Sequence, residues 1–477
     1  MKNILTVYSK TLFLFALAFG VIVSCEREIS DEATFAEYPS TSDVFTDNPI
    51  GLGTSFYLPY GGSKATAWSV DNEVSYEGTA SMRFDVPNAN DPEGNFAGAI
   101  FRIDGDGSGR NLTNFDALTF WAKASQAVNI SEIGFGEDFI ENKFITTRTN
   151  VSLTTNWVKY IIPIPDPSKL FQERGMLRYA AAGIGPVGNE VGYSFWIDEL
   201  KFEKLGTIAQ PKPAILGGQD ISEQSFIGIT NQLADLTQTF NLASGINQTV
   251  TASPAYFTFK SSDPEVAIIN ESGVYTVIGA GTTVLTAQLN GVKAAGSLTL
   301  ESLGNFVAAP DPTEMANNVI SVFSDAYDNI PVDFYNGFFA PFQTTLGGAN
   351  INVNGNNIIQ YTDLNFVATE FKNPTIDVSQ YTFFHVDIQV QEPIQSGDFI
   401  SIELGDFGSD NAFGGNNDSS GRITLNSSEL LSNQWISLDI PLSDFNLSSR
   451  SNLAQIFFIS DATISTILVD NMYFYKQ

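Results

Sequence analysis

Trp157-Val158-Lys159-Tyr160-Ile161-Ile162-Pro163-Ile164 and Trp435-Ile436-Ser437-Leu438-Asp439-Ile440-Pro441-Leu442 read as two versions of one strand. Both open on tryptophan, carry β-branched residues, and reach proline at the seventh position before an aliphatic residue. Downstream, Trp196-Ile197-Asp198-Glu199-Leu200-Lys201-Phe202 is answered by Leu468-Val469-Asp470-Asn471-Met472-Tyr473-Phe474. Shared order with loop-sized differences is what two copies of one fold would show. Further alternating runs, such as Ser81 to Val86 and Ala117 to Ala122, are bounded by turns rich in Gly, Asn and Asp, and helical periodicity is not sustained over three turns. The chain is therefore expected to be all-β, with a sandwich at each end.

Outward from these copies, the sequence divides into 50–208, 212–303 and 305–477, with Gln210-Pro211-Lys212-Pro213 read as a semi-rigid linker. With one cysteine, Cys25, disulfides cannot staple these domains, and packed cores must hold them. The first residues carry Lys2 and Lys10, an apolar run from Leu12 to Val23, and Ser24 before Cys25. That is the layout of a secretory signal, and the apolar run is too short to span a bilayer. The segment resembles a lipoprotein signal, which implies a signal peptide at 1–24 and acylation of Cys25. Residues 25–49 then form a flexible tether. The acidic stretch after Cys25 resembles the export tag of surface lipoproteins of Bacteroidota, implying a lipid-anchored place on the outer membrane.

Net charge is −30, from 53 acidic and 23 basic residues. Such a surface repels phosphate backbones, so no nucleic-acid partner is expected, and it suits neutral ligands and calcium. Catalysis has few resources: His385 is the only histidine, in Phe383-Phe384-His385-Val386-Asp387, where a hydrogen-bonded strand residue is the simpler role. No Glu-x-Asp-x-Glu or Glu-x-Asp-x-x-Glu strand is present. Carboxylate pairs remain countable anywhere in so acidic a chain, since sequence does not fix the ~5–9.5 Å that glycoside hydrolysis requires. The chain is expected not to be an enzyme.

Leu118-Thr119-Phe120-Trp121-Ala122-Lys123-Ala124, Trp157-x-x-Tyr160-x-Ile162-Pro163 and Phe195-Trp196-Ile197-Asp198-Glu199-Leu200-Lys201-Phe202 resemble the galactose-binding-like jelly-roll sandwich of carbohydrate-binding modules. The last domain, with Val319 to Tyr327 near its start, looks like modules of laminarin-utilisation systems. Phe259-Lys260-Ser261-Ser262-Asp263-Pro264 and Gly273-Val274-Tyr275-Thr276-Val277 resemble the bacterial Ig-like repeat. Together these imply a non-catalytic surface lipoprotein of a polysaccharide-utilisation system. It would capture a neutral polysaccharide, with a β-glucan such as laminarin as the expected ligand and an outer-membrane glycan importer as a partner. A surface adhesin or envelope structural protein is the main alternative, and a cryptic glycoside hydrolase a further one.

Sugar rings have an apolar face and a hydroxyl rim, so aromatic platforms framed by polar groups are the residues to seek. On the non-core side of strands these are Trp121, and His385 with Asp387. In Gly-containing loops they are Tyr60 and Trp68, and Tyr335, Phe338 and Phe339. The amide-rich stretch from Gly405 ends on Arg422, which is suited to hydroxyl recognition. Trp157, Trp196 and Trp435 are assigned to packing. The family resemblance also implies one structural calcium per sandwich, at Glu77 or Asp71 with Asp198 and at Asp325 with Asp470.

Overall fold

The computed structural model describes residues 37–476 except 338, 354, 415 and 416, and only the backbone of residue 350. The signal, Cys25 and Phe338 lie outside the described residues. Two compact units result, Met1–Asn142 with Thr149–Gly206, and Lys143–Arg148 with Thr207–Gln477.

The first unit is a sandwich of strands β1 (Asp43–Phe45), β2 (Tyr57–Pro59), β3 (Trp68–Asp71), β4 (Ser81–Val86), β5 (Phe96–Arg102), β6 (Ala117–Ala124), β7 (Val128–Phe135), β8 (Thr146–Leu153), β9 (Val158–Pro163), β10 (Gly175–Ala182) and β11 (Tyr193–Glu203). One sheet runs β3-β4-β11-β6-β9 with β1 added on β11, and the other runs β8-β7-β10-β5-β2. Strand alternation sends Met82, Phe84 and Val86 inward and Arg83 and Asp85 outward. Phe84 stacks on Phe195 at 4.6 Å between centroids and meets Tyr179 edge-on at 4.6 Å. Each such buried ring contributes roughly 1.5–3 kcal/mol of transfer free energy. Asp43–Phe45, expected to lie within the tether, is instead a strand paired with β11.

Strands β12 (Ala209–Ala214), β13 (Asp220–Ser225), β14 (Thr230–Gln232), β15 (Thr237–Asn241), β16 (Asn247–Ala252), β17 (Phe257–Ser261), β18 (Ala267–Ile269), β19 (Val274–Val277), β20 (Gly281–Leu289), β21 (Val292–Lys293) and β22 (Ser297–Ser302) form the middle of the chain. Here β13-β22-β20-β17, with β21 added on β20, and β14-β19-β18 form two separate sheets, and β13 pairs with β22 in parallel. The expected proline linker is strand β12, paired with β15. Pro211 and Pro213 are tolerated because β12 ends its sheet and needs donors on one side only.

The last sandwich contains β23 (Val319–Phe323), β24 (Leu346–Val353), β25 (Asn356–Thr362), β26 (Phe366–Glu370), β27 (Phe383–Val390), β28 (Phe399–Asp406), β29 (Ser419–Asn426), β30 (Trp435–Pro441), β31 (Leu453–Ile459) and β32 (Ile467–Tyr475). Its sheets run β24-β25-β32-β27-β30, with β23 added on β32, and β26-β31-β28-β29. The first of these repeats β3-β4-β11-β6-β9 with β1 strand for strand. Register matches too: Ala117 opposes Pro163 as Phe383 opposes Pro441. Trp121 and Asp387 are thus equivalent, and they oppose Asp198 and Asp470. Both closing strands carry a bulge after that aspartate, with Glu199 and Asn471 each at φ 49. Asp198 and Asp470 each brace it by accepting from the next backbone N–H, at 2.8 and 2.7 Å. The core centres on Phe384, Val386, Ile402, Ile456, Phe458 and Phe474.

Candidate functional site: a ring-and-ion-pair face on each sandwich

In the first unit, Tyr179 of β10 points into the core, so its neighbours Arg178 and Ala180 face outward. Ile100 and Gly98 of β5 lie beside them, and Gly134 and Glu132 of β7 flank the other side. Gly98 keeps this floor low. A Cβ there would stand 2.8 Å from the Tyr60 ring and 3.0 Å from the Phe96 ring, so glycine alone lets both aromatics close over the strand.

Arg178 is held by Glu137 at 2.6 Å and Glu132 at 2.8 Å, and the Tyr60 hydroxyl donates to Glu137 at 2.7 Å. Burial pushes the Tyr60 phenol pKa up, against the pull of Arg178. It therefore stays a neutral donor. Beside it, Phe139 lies 5.7 Å from Tyr60 and is 42% exposed. Its φ of 59 is a left-handed backbone that a bulky residue rarely adopts, costing roughly 1–3 kcal/mol. Asp138 and Asn142 enforce it. The Asp138 carboxylate accepts from the backbone N–H groups of Ile140, Glu141 and Asn142, and the Asn142 side chain accepts from those of Asp138 and Phe139. A costly turn that keeps an aromatic in solvent is the geometry of a ligand contact.

The last sandwich builds a related face on β26-β31-β28-β29. Phe458 points inward, leaving Phe457 outward between Ala368 and Glu403. Phe339 packs on Phe457 and Phe366, with centroids 6.3 and 6.2 Å away. Arg422 donates to Glu403 at 2.7 Å, and Gln455 donates to Glu370 at 2.8 Å. Ser401 and Thr424 share a hydrogen bond of 2.8 Å at the mouth of a cleft lined by Asp398, Phe399, Arg422, Asn426 and Asp461. Both faces offer aromatic rings, amide or hydroxyl donors, and an arginine already matched by glutamate. Such a surface can stack a sugar ring and bond its hydroxyls without selecting a charged ligand.

Several residues expected at a site are placed otherwise. Trp68 belongs to β3, not a loop, and packs against Phe101, Tyr57 and Phe56 at 5.3, 5.4 and 5.5 Å. Tyr335 turns its ring onto Phe323 and its hydroxyl to the Val322 carbonyl. Trp121 does face outward, but Tyr76 covers it in a parallel stack at 3.9 Å. His385 stacks on Tyr473 at 4.5 Å and bonds Asp439 at 2.7 Å, with Asp387 at 3.6 Å. Burial opposes its charge, yet hydrogen bonds and charge from Asp387 and Asp439 outweigh that and raise its pKa. Asp387 accepts from Ser437 and from Asn471. This network sits on the six-stranded sheet, whereas Arg422 lies on the other, in strand β29 and not in a loop. Among the described residues, only Tyr60, Phe339 and Arg422 of the expected glycan residues fall on the two ring-and-ion-pair faces. Phe139, Glu137, Arg178 and Phe457 were not anticipated.

For a metal, Asp198 accepts from the backbone N–H groups of Tyr76, Glu77 and Glu199. These backbone donors satisfy the Asp198 carboxylate in the structure. Asp470 differs. Burial, with the charges of Asp325 and Asp387, pushes it to about 7, a carboxyl that a cation would stabilise. Asp325 meanwhile accepts from the backbone and side-chain nitrogens of Asn357. Among the described residues no group of three or more His, Cys, Asp or Glu stands close enough to hold a metal.

The family profile of carbohydrate binding domain 30 matches residues 43–204. Among solved structures, a family 30 carbohydrate-binding module is 18% identical, aligned over 34% of this chain and 86% of its own, with a TM-score of 0.26. The family 30 module of a cellulosomal cellulase from Clostridium thermocellum is 18% identical, over 34% and 96%, with a TM-score of 0.24. A tandem CBM22 domain from Paenibacillus barcinonensis is 10% identical, over 93% and 99%, with a TM-score of 0.21. No curated protein matches the chain. On the family match, a carbohydrate-binding domain of family 30 is present at residues 43–204.

Proposed function

We propose that the protein is a non-catalytic, lipid-anchored glycan-binding protein of the cell surface that captures a neutral polysaccharide, a β-glucan such as laminarin, for delivery to an outer-membrane importer. The observation that carries this reading is the Tyr60–Phe139 face, whose cation is neutralised by two glutamates inside a carbohydrate-binding domain. The related Phe339–Phe457 face supports a second contact on the same chain, which would raise avidity for a long glycan. Anchoring through Cys25 supplies the address. In the last sandwich a calcium ion would be held by Asp470 with Asp325 and would supply the positive charge that the burial of Asp470 calls for.

Calorimetric titration of the chain with laminarin, mixed-linkage glucan, xylan and mannan tests the reading. Saturable binding to a β-glucan is expected, weakened about tenfold in Phe139→Ala. Phe457→Ala should reduce avidity for polymer more than affinity for short oligosaccharides. Binding to none of the four, or release of reducing ends during titration, overturns it. For the metal, calcium should raise the unfolding temperature of the wild type and leave Asp470→Asn unmoved; equal response of both refutes the assignment.

A further inference from the structure

The opposite sheet of the first sandwich carries an unexplained row. Arg83 on β4, Trp196 on β11 and Lys123 on β6 are consecutive register partners. Trp157 follows, one residue before Val158, the partner of Ala122. All four face away from the core, since Phe84, Ile197 and Ala122 are the buried neighbours. The Lys123 ammonium lies 5.6 Å from the Trp196 ring centroid and 5.9 Å from that of Trp157, with Arg83 5.7 Å from Trp196 on the other side. Tyr76 continues the aromatic surface, 6.0 Å from Trp157 and stacked on Trp121. Arg83 is matched by Asp71 and Asp85. No ion pair among the described residues engages Lys123, a half-buried cation in a chain of 53 acids.

We infer that this row is a second carbohydrate site, for an acidic glycan, with Lys123 pairing the carboxylate of a uronate sugar and Trp157 and Trp196 flanking it. Charge complementarity selects the ligand: in a chain with 53 acidic and 23 basic residues, this row carries a lysine that no ion pair among the described residues engages and that two indole rings flank. Apolar rings on both sides shield the ion pair from water and strengthen it, and they suit an anion carried on a C–H-rich skeleton. Trp196 and Trp157 stand two strand spacings apart, roughly 9.6 Å. A pyranose is about one spacing long, so successive sugars of a linear chain would meet Trp196, Lys123 and Trp157 in turn. The equivalent row in the last sandwich reads Gln360, Leu468, Gln389 and Trp435, without a charge.

The test is titration of the purified chain with oligogalacturonate, and with the same oligomer after its carboxyls are reduced to hydroxymethyl groups, followed by calorimetry and tryptophan fluorescence. Oligogalacturonate should bind, shift the emission and weaken with added salt, while the reduced oligomer should not bind. Lys123→Gln should cost about tenfold or more in affinity, as should Trp157→Phe to a smaller degree, while β-glucan binding stays unchanged in Lys123→Gln. Absence of oligogalacturonate binding overturns the inference. So does equal binding of charged and reduced oligomers, or affinity unchanged by Lys123→Gln. Failure of β-glucan binding alone leaves it standing.

Discussion

The same sheet face serves different ends in the two sandwiches. In the last one, Leu468, Ile358 and Val353 are buried against Phe226 and Ile229, from the connection between β13 and β14, with Phe306, Ile351 and Trp435 packed around them. Trp435 also donates its indole N–H to the Val307 carbonyl at 2.6 Å. In the first, the equivalent positions hold Trp196, Lys123 and Trp157, an outward row of rings and cations. The backbone scaffold is kept, including the bulge behind Asp198 and Asp470, while the side chains on this face decide whether it seals to protein or is left to meet a ligand. A repeat fixes where side chains stand and leaves open what they contact.

Three measurements would break or sharpen this contrast. The largest effect concerns a group buried in the first unit, Glu173, which burial pushes to about 7 although Arg174 and Gly175 donate backbone N–H groups to it. A carboxyl whose pKa is raised on folding stabilises the fold below its unfolded value and loses that contribution as pH climbs through the folded one. The stability of the first unit against unfolding should thus fall by about 3 kcal/mol between pH 4.5 and 8. Glu173→Gln should flatten that slope and leave the second unit's transition where it was, as followed by calorimetry across pH. Next, Asp198→Ala strands three backbone N–H groups and should cost about 2 kcal/mol of first-unit stability in urea unfolding. A loss below about 0.5 kcal/mol would show that the bulge holds without its aspartate. The smallest effect separates the matched tryptophans. Trp435→Ala should destabilise the second unit by about 2 kcal/mol, Trp157→Ala the first by under about 1 kcal/mol. Equal losses would erase the contrast.

Strand content and the repeat were legible because period-2 alternation and turn residues act locally. The outward facing of Trp121 and of His385 with Asp387 was legible from strand alternation, and the register makes Trp121 and Asp387 equivalent positions opposite Asp198 and Asp470. The ring-and-ion-pair faces were largely hidden. Arg178 lies 46 residues from Glu132 and 41 from Glu137 in sequence and meets them only when β7 and β10 pair. Phe139 looks like an apolar interruption of an acidic turn, and only its φ marks it. Phe457 reads as one more core residue in an apolar run until the strand's facing is known. Trp68 misled in the opposite sense, since neighbouring glycines made a strand residue look like a loop aromatic. The proline pair at 211 and 213 did likewise, because an edge strand tolerates what an interior strand cannot.

The apolar seam between the middle strands and the last sandwich has a mechanical meaning. A glycan held by the last sandwich in moving water would pull on it, and that load would spread across Phe226, Ile229, Phe306, Ile358 and Trp435 instead of passing along one strand of chain. Peeling the joint open must wet all of these at once, so it should yield late and abruptly. By the same reasoning, a protease cut between Gly304 and Pro310 would leave two halves that still cling, and that turn to other chains if they are forced apart.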